Sequence, residues 1–333
     1  MGIDFVILWV DGNDPKWQNE KSKYDSNVND DSNSASRYRD WGLLPFWFRG
    51  VEKFTPWINK IHFVTWGHIP EFLNLDNPKL NIVKHTDFIP AEYLPTFSSH
   101  AIELNIHRIP GLSENLVYFN DDMFIIRNMA EQAFFSQGLP CTYGGEVPMA
   151  FKGDTGIWLH AAVNGMGVIN SHFNKKTQVK SFNKKYISKS YRWQDNIRTL
   201  VAEKFFPDYF LGFKNLHAPG AYLKKTFEDV WEAEKDLLNK TSSHKFRSAD
   251  DINQWVMLWW QIASGNFSPY NTDNLVCSVN ENTVDLVCSA IKNQSNDMIC
   301  VNDNADDNSF QCLSEKIKSA FETILPEKCS FEK

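Results

Sequence analysis

Close to its first residue the chain runs through Ile3-Asp4-Phe5-Val6-Ile7-Leu8-Trp9-Val10, an apolar stretch broken by a single acid. A strand with one wet face alternates polar and apolar side chains, whereas a near-continuous apolar run belongs to a strand covered on both faces. That feature alone demands packed layers above and below a sheet. Residues 61–66, 80–84 and 116–119 repeat the pattern. Between them Leu43, Phe46, Trp47, Gly50, Val51 and Phe54 recur at helical spacing, opposite Arg49, Glu52 and Lys53. A further helix starts at Ser98 or Ser99 and is ended by Pro110-Gly111. Strands alternating with helices predict an α/β domain built on a mostly parallel sheet flanked by helices.

Ligands of such sheets bind beyond the carboxyl ends of the strands. Here those ends carry Asp11, His85 and Asn120-Asp121-Asp122, so polar chemistry gathers at one edge of an apolar sheet. The first strand halts at Asp11-Gly12-Asn13-Asp14-Pro15, where Asp14 can cap a helix that opens on Pro15. Residues 25–36, rich in Asn, Ser and Asp, read as a mobile loop. Beyond about residue 138 the texture changes, and Gly138, Gly144, Gly145, Gly153, Gly156, Gly165 and Gly167 predict loops and tight turns. Helices are expected over 195–206, 226–239 and 250–263, and a short strand over 298–301 that runs into Asn302-Asp303. The expected organisation is an α/β core over 1–135 and a mixed loop and helical region over 136–333 that completes the same domain.

Composition narrows the function. A net charge of -7 excludes a polyanion binder, so nucleic acid is not an expected partner and any phosphate site must be a local cluster. Neither G-x-G-x-x-G nor a Walker-type loop occurs, which counts against dinucleotide and P-loop chemistry. No apolar run approaches the roughly 18 residues of a membrane span. The chain opens on a strand rather than a secretory signal, and its six cysteines form no C-x-x-C pair. These features lead to the expectation of a cytoplasmic protein with reduced thiols, associated with a membrane peripherally if at all.

The strongest chemical signal is Leu116-Val117-Tyr118-Phe119-Asn120-Asp121-Asp122-Met123-Phe124. Strand alternation would turn Asn120 and Asp122 one way and Asp121 the other. Adjacent carboxylates in so apolar a setting need a cation or donors, and a hard divalent ion, Mg²⁺ or Mn²⁺, held by Asp121 and Asp122 answers that need. The alternative is a turn whose acids bond only the backbone. On the helix expected over 99–109, His100, Glu103 and His107 form one stripe, either solvated or facing an acceptor or phosphate; zinc is the lesser alternative, since it normally wants further ligands at recognisable spacing. Arg37, Arg39 and Arg247 offer planar forks suited to phosphate. His217 and His244 are candidates for proton transfer. The run over 172–192 holds six lysines and one arginine without an acid, and reads either as a solvated face or as an attractor of anions or of a membrane surface.

These residues resemble the Stealth family of sugar-phosphate transferases, which includes bacterial capsule and exopolysaccharide enzymes and the lysosomal-enzyme N-acetylglucosamine-1-phosphotransferase. The run from Ile3 to Pro15 is similar to the family's first block. The second is carried by Arg37-Tyr38-Arg39-Asp40, Leu94-Pro95-Thr96-Phe97-Ser98-Ser99-His100-Ala101-Ile102-Glu103, His107-Arg108-Ile109-Pro110-Gly111-Leu112-Ser113-Glu114 and Asn120-Asp121-Asp122. His217 with Lys245-Phe246-Arg247-Ser248 resembles the third block, and Ile299-Cys300-Val301-Asn302-Asp303 the fourth. The resemblance implies a nucleotide-sugar-transferase-like (GT-A-like) fold whose 1–135 core holds the nucleotide-sugar and the metal. It implies transfer of hexose-1-phosphate from a nucleotide-diphosphate sugar to a glycan hydroxyl, free or lipid-linked, with release of nucleoside monophosphate. A lipid-linked acceptor would draw the enzyme to the inner face of the plasma membrane. Asp122, supported by Asp121, would serve the metal or the attacking hydroxyl, His217 the proton, and Arg247 and Arg39 the phosphate. Asp11, Asn120, His100, Glu103 and Asp303 would complete the substrate and nucleotide contacts. Two rival readings are a metal-dependent glycosyltransferase that releases nucleoside diphosphate, and a non-catalytic glycan-binding protein using its aromatic residues.

Overall fold

The computed structural model describes residues 2–24, 38–150 and 156–333. The expected loop over 25–36, Arg37 and Gly153 therefore lie outside the described residues. Strands β1 (Ile3–Leu8), β2 (Lys60–Thr65), β3 (Leu80–Lys84) and β4 (Asn115–Phe119) form the parallel sheet that the sequence predicts. β5 (Met123–Ile125) follows the acidic turn, and β6 (Phe135–Ser136), β7 (Leu139–Thr142), β8 (Gly220–Leu223), β9 (Ser268–Pro269), β10 (Asn274–Val279) and β11 (Met298–Asp303) come later. The main sheet has the order β3-β2-β1-β4-β8, with β8 antiparallel to β4. A second sheet, β10-β11-β5, stands beside it, and β6, β7 and β9 form a third.

Double burial of β1 is visible in its neighbours. Phe5 and Ile7 enter one core with Phe63, Val117, Phe119, Trp47 and Phe321. Val6 enters the other with Val64, Leu116, Tyr118, Met166 and Trp259. Each such side chain, taken fully out of water, stabilises the fold by about 2 kcal/mol. Asp4, the lone acid of the run, is fully buried and fully served. Its carboxylate accepts from Asn59 Nδ2 (2.7 Å) and from the Ser113 N–H (2.7 Å), and lies 3.0 Å from His62 Nε2. Burial would raise this carboxyl; the hydrogen bonds from His62, Ser113 and Asn59 outweigh it and hold the group below the ordinary range.

The carboxyl-terminal half differs from its reading. Gly165 and Gly167 lie inside a helix, Ile157–His172, not in turns. A Cβ on Gly165 would stand 3.3 Å from the Trp259 ring, so the glycine allows two helices to approach closely. The basic run folds into the helix Lys175–Tyr186. The helix expected over 226–239 is two, Lys224–Ala233 and Lys235–Ser243, because Glu234 leaves helical geometry (φ -129°, ψ 38°). β8 joins the main sheet and β11 pairs with β5, so this half supplies strands as well as helices. Asp14 caps Pro15–Ser22 as expected, accepting from Lys16 N–H at 2.8 Å.

Candidate active site

Because β1 to β4 run parallel, their carboxyl ends share one edge, and a cleft of about 670 Å³ opens there. Asn120, Asp121, Asp122, His217, Arg39, Arg247 and Asp303 all line it. Three further residues named from the sequence do not. Asp11 turns back on its own loop, its Oδ1 accepting from Asn13 N–H at 2.9 Å. His100 and Glu103 are buried behind the cleft wall. The expected stripe on their helix is neither solvated nor substrate-facing. His100 Nδ1 lies 2.9 Å from Asp251, Tyr118 Oη lies 3.3 Å from Glu103, and His107 stacks on Phe227. Burial pushes His107 down to about 3, a neutral core histidine.

Alternation along β4 does not extend into the acidic triplet. The strand ends at Phe119, and a turn closed by Met123 N–H on Asn120 O (3.2 Å) swings both aspartates into the cleft. Asp121 is exposed to the cleft, whose walls nonetheless crowd it and desolvate it in part. That desolvation, with the neighbouring Asp122 charge, raises its carboxyl to about 7. Asn120 is aimed by Tyr118, whose hydroxyl donates to its Oδ1 at 2.8 Å.

Asp122 is an acid left half satisfied. Oδ2 accepts from the Cys300 thiol at 3.2 Å, whereas Oδ1 is buried without a partner. Burial raises this carboxyl, against the pull of the nearby His217 charge and the thiol hydrogen bond. Burial and the same carboxylate push the Cys300 thiol well up. One ligand atom each from Asp122, His217 and Cys300 lies within 4.8 Å of the others. The orphaned carboxylate oxygen beside the His217 imidazole offers ligands to a divalent cation, whereas the Cys300 thiol, kept protonated, suits no hard ion. Asp121 stands beside this group without joining it.

His217 is held by its main chain. Its φ is +44°, a left-handed conformation unusual for a side-chain-bearing residue. Its N–H donates to Asn215 Oδ1 (2.8 Å), and Asn274 Nδ2 donates to both Leu216 O (2.9 Å) and His217 O (3.0 Å). Arg247 spends one Nη on Ser99 Oγ (2.6 Å), and the remainder of its fork faces the cleft. Arg39 is committed elsewhere: Nε and Nη2 grip Asp303 at 2.9 Å each, Nη1 reaches Asp307 (2.8 Å), and Nη2 also reaches Ala305 O (2.7 Å). Arg39 and Asp303 thus brace one wall.

His244 sits behind Arg247, its Nδ1 2.6 Å from Asp251 Oδ1. Asp251 is fully buried between His100 and His244 and also accepts from Ser248 N–H (2.9 Å), so this second acid and histidine cluster is already satisfied. Sequence reasoning missed Asp251, Cys300 and also His68, whose Nε2 accepts from Asp11 N–H at 2.8 Å.

The chain matches the family models for Stealth protein conserved region 1 over residues 1–29 and conserved region 2 over residues 37–142. It is 38% identical to capsular polysaccharide phosphotransferase WcwK of Streptococcus pneumoniae, over 99% of this chain and 98% of that one. It is 40% identical to receptor polysaccharide phosphotransferase WefC of Streptococcus gordonii over the same shares. With exopolysaccharide phosphotransferase cps2G of Lactiplantibacillus plantarum it shares 35% identity over 99% and 96%. Among solved structures, the galactosyltransferase LgtC covers 96% of each chain at 9% identity and a TM-score of 0.36, too loose a likeness to carry an argument. Acids, a histidine and an arginine line one cleft at the edge of a parallel sheet, and with relatives named phosphotransferases along nearly its whole length the chain is a transferase of phosphorus-containing groups. It belongs to the Stealth family.

Proposed function

We propose that this protein transfers hexose-1-phosphate from a nucleotide-diphosphate sugar to a hydroxyl of a capsular or other cell-surface glycan. The observation that carries this reading is the buried, unpartnered Oδ1 of Asp122 beside His217, in a cleft that Arg247 shares. The acceptor oxygen forms a bond to the β-phosphorus as the bridging bond to the α-phosphate breaks, and its electron pair leaves with nucleoside monophosphate. His217 takes the hydroxyl proton, its backbone being fixed by Asn215 and Asn274. Arg247 binds the transferring phosphoryl group with the part of its fork that Ser99 leaves free. A divalent ion, Mg²⁺ or Mn²⁺, held by Asp122 with support from Asp121, would neutralise the pyrophosphate oxygens. Asn120 orients the donor, and Arg39 with Asp303 keeps the wall in place. Asp11, His100 and Glu103 act from behind, by shaping the loop after β1 and supporting Tyr118 and Arg247.

A nucleotide-sugar donor places the reaction on the cytoplasmic side, and a lipid-linked acceptor would be met at the inner leaflet. The decisive test is incubation with a panel of nucleotide-sugars, a glycan acceptor and Mg²⁺ or Mn²⁺. Release of nucleoside monophosphate, with a phosphodiester signal in the phosphorus NMR spectrum of the product, is expected. Release of nucleoside diphosphate without that signal means attack at the sugar carbon and overturns the proposal.

A further inference from the structure

The helix Trp193–Phe205 is folded inside out. Its inward face is polar: Asp195 accepts from Tyr143 Oη (2.6 Å) and Lys214 Nζ (2.7 Å), and Thr199 Oγ1 accepts from Glu146 N–H (3.0 Å). Its outward face is apolar. Trp193 is 67% exposed and Phe205 64%, and Ile197, Leu200 and Val201 lie about half exposed between them. Spacings of four, three, one and four residues set these five on one side of the helix, with the exposed Gln194 and Lys204 among them. Phe206 and Tyr209 extend the patch past the helix end. Soluble proteins bury such a stripe or cover it with a partner.

We infer that this face docks on an anionic lipid bilayer. The charge around it decides between occupants. The helix Lys175–Tyr186 contacts this helix, and Lys176, Lys180, Lys184 and Lys189 are exposed on it or just beyond, in a segment without an acid from 172 to 192. Arg198 and Lys204 lie on the apolar helix itself; Arg198 pairs with Asp195 at 3.2 Å, and Glu203 and Asp208 are the other nearby acids. The protein as a whole carries -7, so this cationic margin is a local exception. Lys204 stands among the apolar residues themselves, and the buried centre of a protein–protein interface is depleted in lysine, which disfavours a second copy as the occupant. Aromatic and aliphatic side chains bordered by lysines are what a headgroup region accepts: rings at the acyl boundary, ammonium groups at the lipid phosphates. This goes beyond the transfer chemistry and does not depend on it.

The test is co-sedimentation of the full chain with vesicles of phosphatidylcholine alone or mixed with phosphatidylglycerol, which requires neither donor nor metal. Binding to the mixed vesicles, weakened by salt, is expected. Leu200→Glu combined with Phe205→Glu should reduce the bound fraction by about tenfold or more while leaving thermal stability and transfer to a water-soluble acceptor unchanged. Lys180→Glu with Lys184→Glu, at exposed positions away from the apolar stripe, should weaken binding to the mixed vesicles by a smaller factor. Failure of the unaltered protein to sediment with the mixed vesicles overturns the proposal, as does binding that survives both double substitutions. A concentration-dependent dimer in light scattering, abolished by Leu200→Glu with Phe205→Glu, would instead assign the face to a second copy.

Discussion

Two carboxylates near opposite ends of the central sheet make an instructive pair. Asp4, at the amino end of β1, is fully buried with three partners, and its carboxyl is held low. Asp122, just past the carboxyl end of β4, has one weak thiol partner and a bare oxygen, and its carboxyl is raised. Burial acts on both in the same direction; the difference lies in what answers it. An acid whose hydrogen bonds are complete belongs to the fold. One left short in a cleft is available to a cation or a substrate.

Asp122→Ala gives the largest effect expected from this contrast: transfer should fall by about a thousandfold or more, with an unchanged melting temperature. An active variant would show that the starved acid is idle and break the comparison. Asp4→Ala should do the reverse, leaving turnover per folded molecule intact while costing about 3 kcal/mol of stability in a denaturant titration. The lowered Asp4 carboxyl also fixes a sign. Its contribution is present above the unfolded carboxylate value of about 4 and is lost as pH falls through its lower folded value, so Asp4→Asn should flatten the acid limb of a stability–pH curve.

At neutral pH the smallest expected effect belongs to His107. It stays neutral in the fold down to about pH 3, whereas the unfolded chain protonates near the ordinary value of 6.5. Stability from this residue is therefore complete above 6.5 and drains away as pH falls toward 3. His107→Phe, which keeps the stacking on Phe227, should reduce the slope of stability against pH over that window.

What could be read in the chain divides along similar lines. The parallel strands were legible because double burial writes an unbroken apolar run, and β3 has the expected bounds of 80–84. Asp122, His217, Arg247 and Asp303 were legible as residue types at strand ends or beside family motifs, and all four line one cleft. Partnerships were not legible. Cys300 meets Asp122 across 178 residues, and Asp251 meets His100 across 151, with no local spacing to announce either. The stripe of His100, Glu103 and His107 has the periodicity of a wet face, and only the distant Asp251, Tyr118 and Phe227 make it a dry one. Gly165 and Gly167 suggested turns because glycine punctuates most sequences, whereas Gly165 admits the ring of Trp259.

The pairing of β5 with β11 has a consequence for synthesis. Among the described residues β5 pairs in its sheet with β11 alone, and Val301 N–H closes on the Asp122 carbonyl at 2.8 Å. A ribosome delivers Asp122 long before Cys300, so the acidic turn waits with one flank bare while the intervening half of the protein emerges. Translation that stalls before Met298–Asp303 releases a product lacking that wall, and competence arrives with one of the last strands to be made.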